Sequence, residues 1–359
     1  STGTITFTTT DKELSGSSSD LATALANSNN YAGDVTVTNT NYTVAELKVI
    51  NLGTSGEITL NNTNTVLSGS SSDLADVFAG TITQHTAAIT VTNSNHTLAH
   101  LKAINNGSTG TITLADYSVD LSGSSSDVAA ALDGNFTEAY SGTATVDDAH
   151  TLAQLKTINN GTTGEITLAD YDVALVGSTE DVKAALAGDF NSDYTGNVTL
   201  NDADAANVNA ADITTIEGDT TGDITVSNNI NIKGTAAEVE AAVADVNTFT
   251  KSGVTAQLSS NHTLAQLKAI NNALGGALTL NSYAVALVGS AADIAAALAG
   301  TFASTYLGDV TISDADEANV NAADITTIEG ATNGTVTVSN NINIKGTAAE
   351  VEAAVADVN

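Results

Sequence analysis

Apolar and polar positions alternate in one short motif that recurs along the whole chain. In Val35-Thr36-Val37, Ile112-Thr113-Leu114, Ile166-Thr167-Leu168 and Val310-Thr311-Ile312, two apolar residues flank a threonine. A period of two puts the flanking side chains on one face of a strand and the threonine on the other. Between these stretches the spacing changes to that of one helix face, as in Leu152/Leu155/Ile158 and Val128/Ala131/Leu132. The segment His150 to Leu168, HTLAQLKTINNGTTGEITL, holds one whole unit: a capped helix, a Gly/Asn turn and a strand. Near copies stand at 42–60, 96–114 and 262–280, and looser ones at 208–226 and 320–338.

Helix starts give the ruler. One helix type opens [ST]-x-x-[DE] at Ser17/Asp20, Ser70/Asp73, Ser124/Asp127, Ser178/Asp181, Thr235/Glu238, Ser290/Asp293 and Thr347/Glu350. In this capping-box pattern a hydroxyl accepts from an orphan N–H and the acid three residues on reaches back. The second type opens at Thr43/Glu46, Thr151/Gln154 and Thr263/Gln266, with Asn209/Asp212 and Asn321/Asp324 as variants. Thr97 keeps the cap but has His100 in the reciprocal place. These thirteen caps are 26 to 28 residues apart, except for two gaps of 31. Both long gaps come from one four-residue insertion, in NDADAANVN (201–209) and SDADEANVN (313–321).

A spacing this steady predicts a tandem-repeat α/β solenoid. Its coils of ~27 residues, of leucine-rich-repeat type, carry a parallel sheet on one side and short helices on the other. The alternative is a 54-residue coil, a β-helix with helical insertions. The expected organisation is one continuous array over 1–359, with about thirteen helix–strand units and a super-repeat of 112 residues. Residues 208–247 and 320–359 differ at four positions, and the array reads as part of a longer one. Stacked in register, the central threonines form a ladder: Thr6, Thr36, Thr59, Thr90, Thr113, Thr145, Thr167, Thr199, Thr225, Thr279, Thr311 and Thr337, with Gln257 as the one departure.

Composition narrows the work such an array could do. The chain has no Pro, Cys, Met or Trp, and all nine basic residues are lysine. Its core must therefore be built from small aliphatic side chains, and disulfides and thiolate metal sites are excluded. A net charge of −32 argues against nucleic acid and against anionic membrane surfaces, both of which require basic patches. It suits a surface in a salty medium or one that takes up cations. No apolar run reaches the length of a membrane span.

Candidate chemistry is sparse. The inserted loops bring Asp202 and Asp204, and Asp314, Asp316 and Glu317, close together. Closely spaced carboxylates suit a hard cation, so Ca²⁺ is the ion these loops would take, although no known calcium-loop spacing is present. His96, His150 and His262 share a slot before a helix cap with Tyr42, which makes it a packing position before a ligand position. The lysines at 48, 102, 156 and 268 recur in L-K-x-I and predict pairing with acids of a neighbouring coil. N-x-[ST] triplets, such as those at Asn41, Asn135 and Asn160, are cheap in a chain this rich in Asn and Thr. The outward threonines Thr36, Thr59, Thr90, Thr113, Thr145, Thr167, Thr199 and Thr225 form a candidate binding face. Ice binding is a further reading of that row, but Asp34, Glu57, Glu165, Asp223 and Asp309 interrupt it. No nucleophile elbow, phosphate loop, H-E-x-x-H or anion-holding arginine occurs, so no enzyme is expected.

The phrases VNAADITTIEG, GTAAEVEAAVADVN and HTLAQLKAINN resemble repeats of giant secreted or cell-surface proteins of bacteria, marine cyanobacteria among them. The resemblance covers nearly the whole chain. It implies an extracellular array, exported by a type I system, with a structural, adhesive or surface-layer role, and it brings no catalytic residues. The expected function is a structural part of a fibre, sheath or surface layer, with end-to-end or side-by-side self-association. The alternative is an adhesin stalk or binding module that contacts a cell surface or polysaccharide through the threonine-lined sheet.

Overall fold

A computed structural model of the protein describes residues 8–28 and 31–356. The strand expected at Ile5-Thr6-Phe7 lies outside the described residues. Among the described residues, thirteen helices alternate with short strands, and every strand pairing is parallel. The helices are α1 (Ser18–Leu25), α2 (Val44–Gly53), α3 (Ser71–Phe78), α4 (Leu98–Gly107), α5 (Ser125–Leu132), α6 (Leu152–Gly161) and α7 (Thr179–Leu186). They continue with α8 (Ala210–Asp219), α9 (Ala236–Asp245), α10 (Leu264–Ala273), α11 (Ala291–Leu298), α12 (Ala322–Ala331) and α13 (Ala348–Ala356). The chain divides into two compact units: Ser1–Val173 with Ala184–Asp193, and Ala174–Lys183 with Tyr194–Asn359.

In the first unit α1 to α6 pack each against the next, and in the second α8 to α13 do the same. Each strand pairs with one from the following inter-helix segment. The coil therefore holds a single helix, and the 54-residue alternative is not adopted. The core of each unit lies between sheet and helices: Val35, Val37, Leu47, Ile50 and Ile58 in one, and Ile213, Ile216, Ile224, Val226 and Val239 in the other.

The expected caps are present, with one chemical distinction. Thr43, Thr151, Thr235 and Thr263 form complete reciprocal boxes with a Glu or Gln. Ser17, Ser70, Ser124 and Ser290 accept the N–H of the aspartate three residues on. At Ser17, Ser70 and Ser290 the hydroxyl also donates to that carboxylate, which is one methylene short of the full box. Asn209 and Asn321 make no side-chain cap and lie at the ends of short strands, Asn207–Asn209 and Asn319–Asn321. The four-residue insertion thus adds a strand.

Coils stack too closely for a side chain at certain turns. A Cβ on Gly164 would sit 2.4 Å from the Gly142 carbonyl oxygen, and one on Gly334 would sit 2.2 Å from that of Gly308. This is why the turn reads T-x-G before the strand. Beside it, the Thr162 hydroxyl donates to the Gly142 carbonyl at 3.0 Å and accepts the Gly164 N–H at 2.9 Å. Thr54, Thr220 and Thr332 repeat the arrangement, with Ser108 as a close variant that donates to the His85 carbonyl. These turn hydroxyls are buried except Thr54, which is partly so.

Candidate functional site

The predicted threonine ladder is present only in short runs of two or three, and Thr279 faces Gln257. Thr36 faces Thr59, Thr90 faces Thr113, Thr145 faces Thr167, Thr199 faces Thr225, and Thr311 faces Thr337. Among the described residues no register joins Thr59 to Thr90 or Thr113 to Thr145: Thr90 is preceded in its sheet by Ser68, and Thr145 by Ser122. Thr6 lies outside the described residues. The break has a simple cause. Strand partners Leu14, Val35, Ile58 and Ile82 are 21, 23 and 24 residues apart (35 − 14, 58 − 35, 82 − 58), whereas the helix caps advance by 26 or more. Each strand path falls behind the helices and ends; new paths begin just before the first-type helices α1, α3, α5, α7 and α11 and, at the two insertions, just before α8 and α12. The outward threonines remain half-buried or exposed, but the continuous row expected of them is replaced by separate short sheets.

The inserted acidic loops have specific partners. The Asp202 carboxylate accepts the Thr179 N–H at 3.0 Å and the Thr179 hydroxyl at 2.6 Å, covering the start of α7. Asp204 turns the other way and accepts the Asn229 N–H at 2.9 Å. Asp314 accepts the Ala291 N–H at the start of α11 (2.8 Å), and Asp316 accepts the Asn341 N–H (3.0 Å). Glu317 enters through its backbone: its N–H donates to the Asn341 carbonyl, and its own carbonyl accepts from Asn343 Nδ2. Ala205 and Glu317 occupy the same slot with φ of 62° and 58°, a left-handed conformation that costs a non-glycine residue roughly 1 kcal/mol. Among the described residues, no group of three His, Asp or Glu converges as a metal-ligand set.

Asp202 and Asp314 belong to a series that sequence reasoning missed. The first free N–H of α1 is accepted by Asn39, that of α3 by Asn93, that of α5 by Asp148, and that of α9 by Ser260. Each acceptor sits in the following coil. The signal is a small polar residue three or four positions ahead of each second-type cap, or seven where the insertion intervenes. Asparagines near the end of α2, α6 and α10 reach forward to the last turn of the following first-type helix. Asn51 Nδ2 donates to the Asp76 carbonyl, Asn159 to Ala184 and Asn271 to Ala297.

Lysines bridge the same neighbours, as expected. Lys48 lies 2.6 Å from Asp73 and 2.9 Å from Asp76, Lys183 lies 2.6 Å from Asp212, and Lys102 and Lys268 pair with Asp127 and Asp293. The lysine hydrogen bonds hold the Asp73, Asp127 and Asp293 carboxyls below their ordinary range.

The histidine slot is a packing position. His96 and His262 are 2% and 4% exposed, and their Nε2 atoms lie 2.9 and 3.0 Å from the Tyr140 and Tyr306 hydroxyls. Those hydroxyls donate to the Val119 and Val285 carbonyls, which can only accept. The hydrogen-bond network therefore assigns the proton to each histidine Nε2. It leaves both Nδ1 atoms buried without a partner among the described residues. Burial pushes the pKa of His85, His96, His150 and His262 down. At 42/85 the rings have traded places: His85 takes the strand slot of Tyr140, and Tyr42 takes the cap slot of His96, with centroids 6.4 Å apart.

No protein-family model matches the chain, and no curated protein matches it either.

Proposed function

We propose that the chain is a structural repeat module of an extracellular fibre, sheath or surface layer. The observation that carries this reading is where the polar side chains point. Among the described residues, many carboxylates, amides, lysines and turn hydroxyls are spent on bonds from one coil to the next, repeated at regular intervals. The Asp202 and Asp314 carboxylates are helix caps here, and no catalytic step is part of the reading. The high negative charge suits a matrix bridged by divalent cations, and the exposed carboxylates of neighbouring copies are the groups that Ca²⁺ would join.

Negative-stain electron microscopy of the purified chain, with Ca²⁺ and then with chelator, tests it. Filaments or sheets are expected in Ca²⁺, loosening on chelation. Separate particles under both conditions would count against a polymer.

The paired outward threonines favour a second reading, a binding module that holds a cell surface or polysaccharide. Thr36→Lys and Thr59→Lys should then abolish adhesion of beads coated with the chain, whereas for a spacer they should leave it unchanged.

A further inference from the structure

A cavity of about 460 Å³ lies in the first unit, where the loop after α5 meets the last turn of α6. This is within the ~300–1,000 Å³ range of small-molecule sites. Asp133, Asn135, Phe136, Glu138, Thr157 and Asn160 line it. The loop is held at both ends. Phe136 bridges to Ile112 and packs on Tyr140, with centroids 5.9 Å apart, and Tyr140 bridges to Thr162. Thr157 and Asn160 stand on α6, itself fixed by its capping box and by Leu155 and Ile158 in the core. The walls therefore belong to rigid elements.

Five polar side chains on these walls are uncommitted. The side chains of Asp133, Asn135, Glu138, Thr157 and Asn160 make no hydrogen bond or ion pair with another described residue. Four of the five are solvent-exposed and Thr157 is half-buried. One position before Asn160 on α6, the Asn159 amide is bonded to the Ala184 carbonyl. Thr137, which also lines the cavity, is the exception: its hydroxyl bonds to the Tyr117 and Thr113 hydroxyls, as its counterpart Asn191 in the loop after α7 bonds to Glu165.

We propose that this cavity binds a neutral sugar residue. Two amides and a hydroxyl supply alternating donors and acceptors, which vicinal sugar hydroxyls match. The half-buried Phe136 ring offers an apolar face to sugar C–H groups. Asp133 and Glu138 accept from hydroxyls and repel anionic sugars such as uronic acids. Bound sugar would lie beside Thr137, whose hydroxyl donates to Thr113 of one threonine pair. The site is complete within one chain and does not depend on the polymer reading.

Saturation-transfer NMR on the whole chain tests it, with methyl glucoside, methyl N-acetylglucosaminide and glucuronate as probes at about 10 mM, above the Kd near 1 mM of a weak site. Transfer to the ring protons of at least one neutral glycoside is expected, with glucuronate silent. Asn160→Ala and Thr157→Ala, both on the outer side of α6, should each weaken binding about tenfold, the equivalent of one or two lost hydrogen bonds. Circular dichroism of both variants should match the parent. Absence of transfer from both neutral glycosides would overturn the proposal, as would equal transfer to glucuronate or unchanged binding in both folded variants.

Discussion

Thr162 shows what a single hydroxyl does in this molecule. It is 7% exposed, and it closes its own turn while reaching the neighbouring coil. Replacement by valine keeps the shape and strands a buried carbonyl and N–H. A loss of about 1–3 kcal/mol follows, read from the urea midpoint of Thr162→Val. Ala205 gives the opposite sign. Its positive φ suits glycine, so Ala205→Gly should raise stability by up to ~1 kcal/mol in the same assay. The histidines set a pH dependence. Their folded pKa values lie below the ordinary 6.5, so an unfolded chain takes up these protons first. The stability that the neutral rings contribute is complete above about pH 6.5 and is lost as pH falls through the depressed folded values. Lowering pH from about 7.5 to about 5 should reduce the urea midpoint, and His96→Gln, which keeps an N–H for Tyr140 but does not titrate, should reduce that slope. A midpoint independent of pH over this range would contradict that role for the rings. Asp73, Asp127 and Asp293 act in a separate, more acidic window. Their contribution is present above their ordinary 3.8 and disappears as pH falls through their lowered folded values.

Among the elements, first-type helices are finished by their neighbours. Helices of eight to ten residues are too short to be stable alone. They are held by caps at the start, and first-type helices also take a side chain of the next coil at their start, as α1, α3 and α5 do, or an asparagine of the preceding coil at their end, as α3, α7 and α11 do. Asn93→Ala removes the acceptor for the first N–H of α3 and should cost about 1 kcal/mol. The 42/85 ring exchange is a test of packing between coils. Tyr42→His alone and His85→Tyr alone mismatch the pair, whereas the double variant rebuilds the His96–Tyr140 arrangement. A thermodynamic cycle should show a favourable coupling of roughly 0.5–3 kcal/mol, and strictly additive losses would mean the two rings are independent.

Across the molecule as a whole, like charges repel. Forty-one acids face nine lysines, so repulsion among carboxylates outweighs the lysine bridges, which are half-exposed and contribute little each. Raising NaCl from about 10 mM to about 0.3 M shortens the screening length from ~30 Å to well under 10 Å. The Tm should therefore rise with salt, and a fall would show that the bridges prevail.

Much of this was legible in the chain. The period of the apolar positions pointed to helix and strand, and the hydroxyl–acid spacing to the caps, because both are local: neighbours within four residues determine them. Lysine pairing followed from its recurrence. Register was not legible. The sheet advances by 21 to 24 residues in the first paths while the helices advance by 26 or more, and only the closed coil shows that the two rulers disagree. That mismatch cut the threonine row into short runs. The roles of Asp202, Asn93 and the Asn160 cavity were hidden for a related reason. An aspartate in a loop reads the same whether it faces water, a cation or the helix of the coil before it, and its partner is twenty or more residues away in sequence. Side-chain periodicity and local hydrogen bonding, both written in the order of residues, were enough to define the unit and its ends. Which unit meets which depended on how the coils close in three dimensions, and with it which polar groups were used up between coils and which were left exposed.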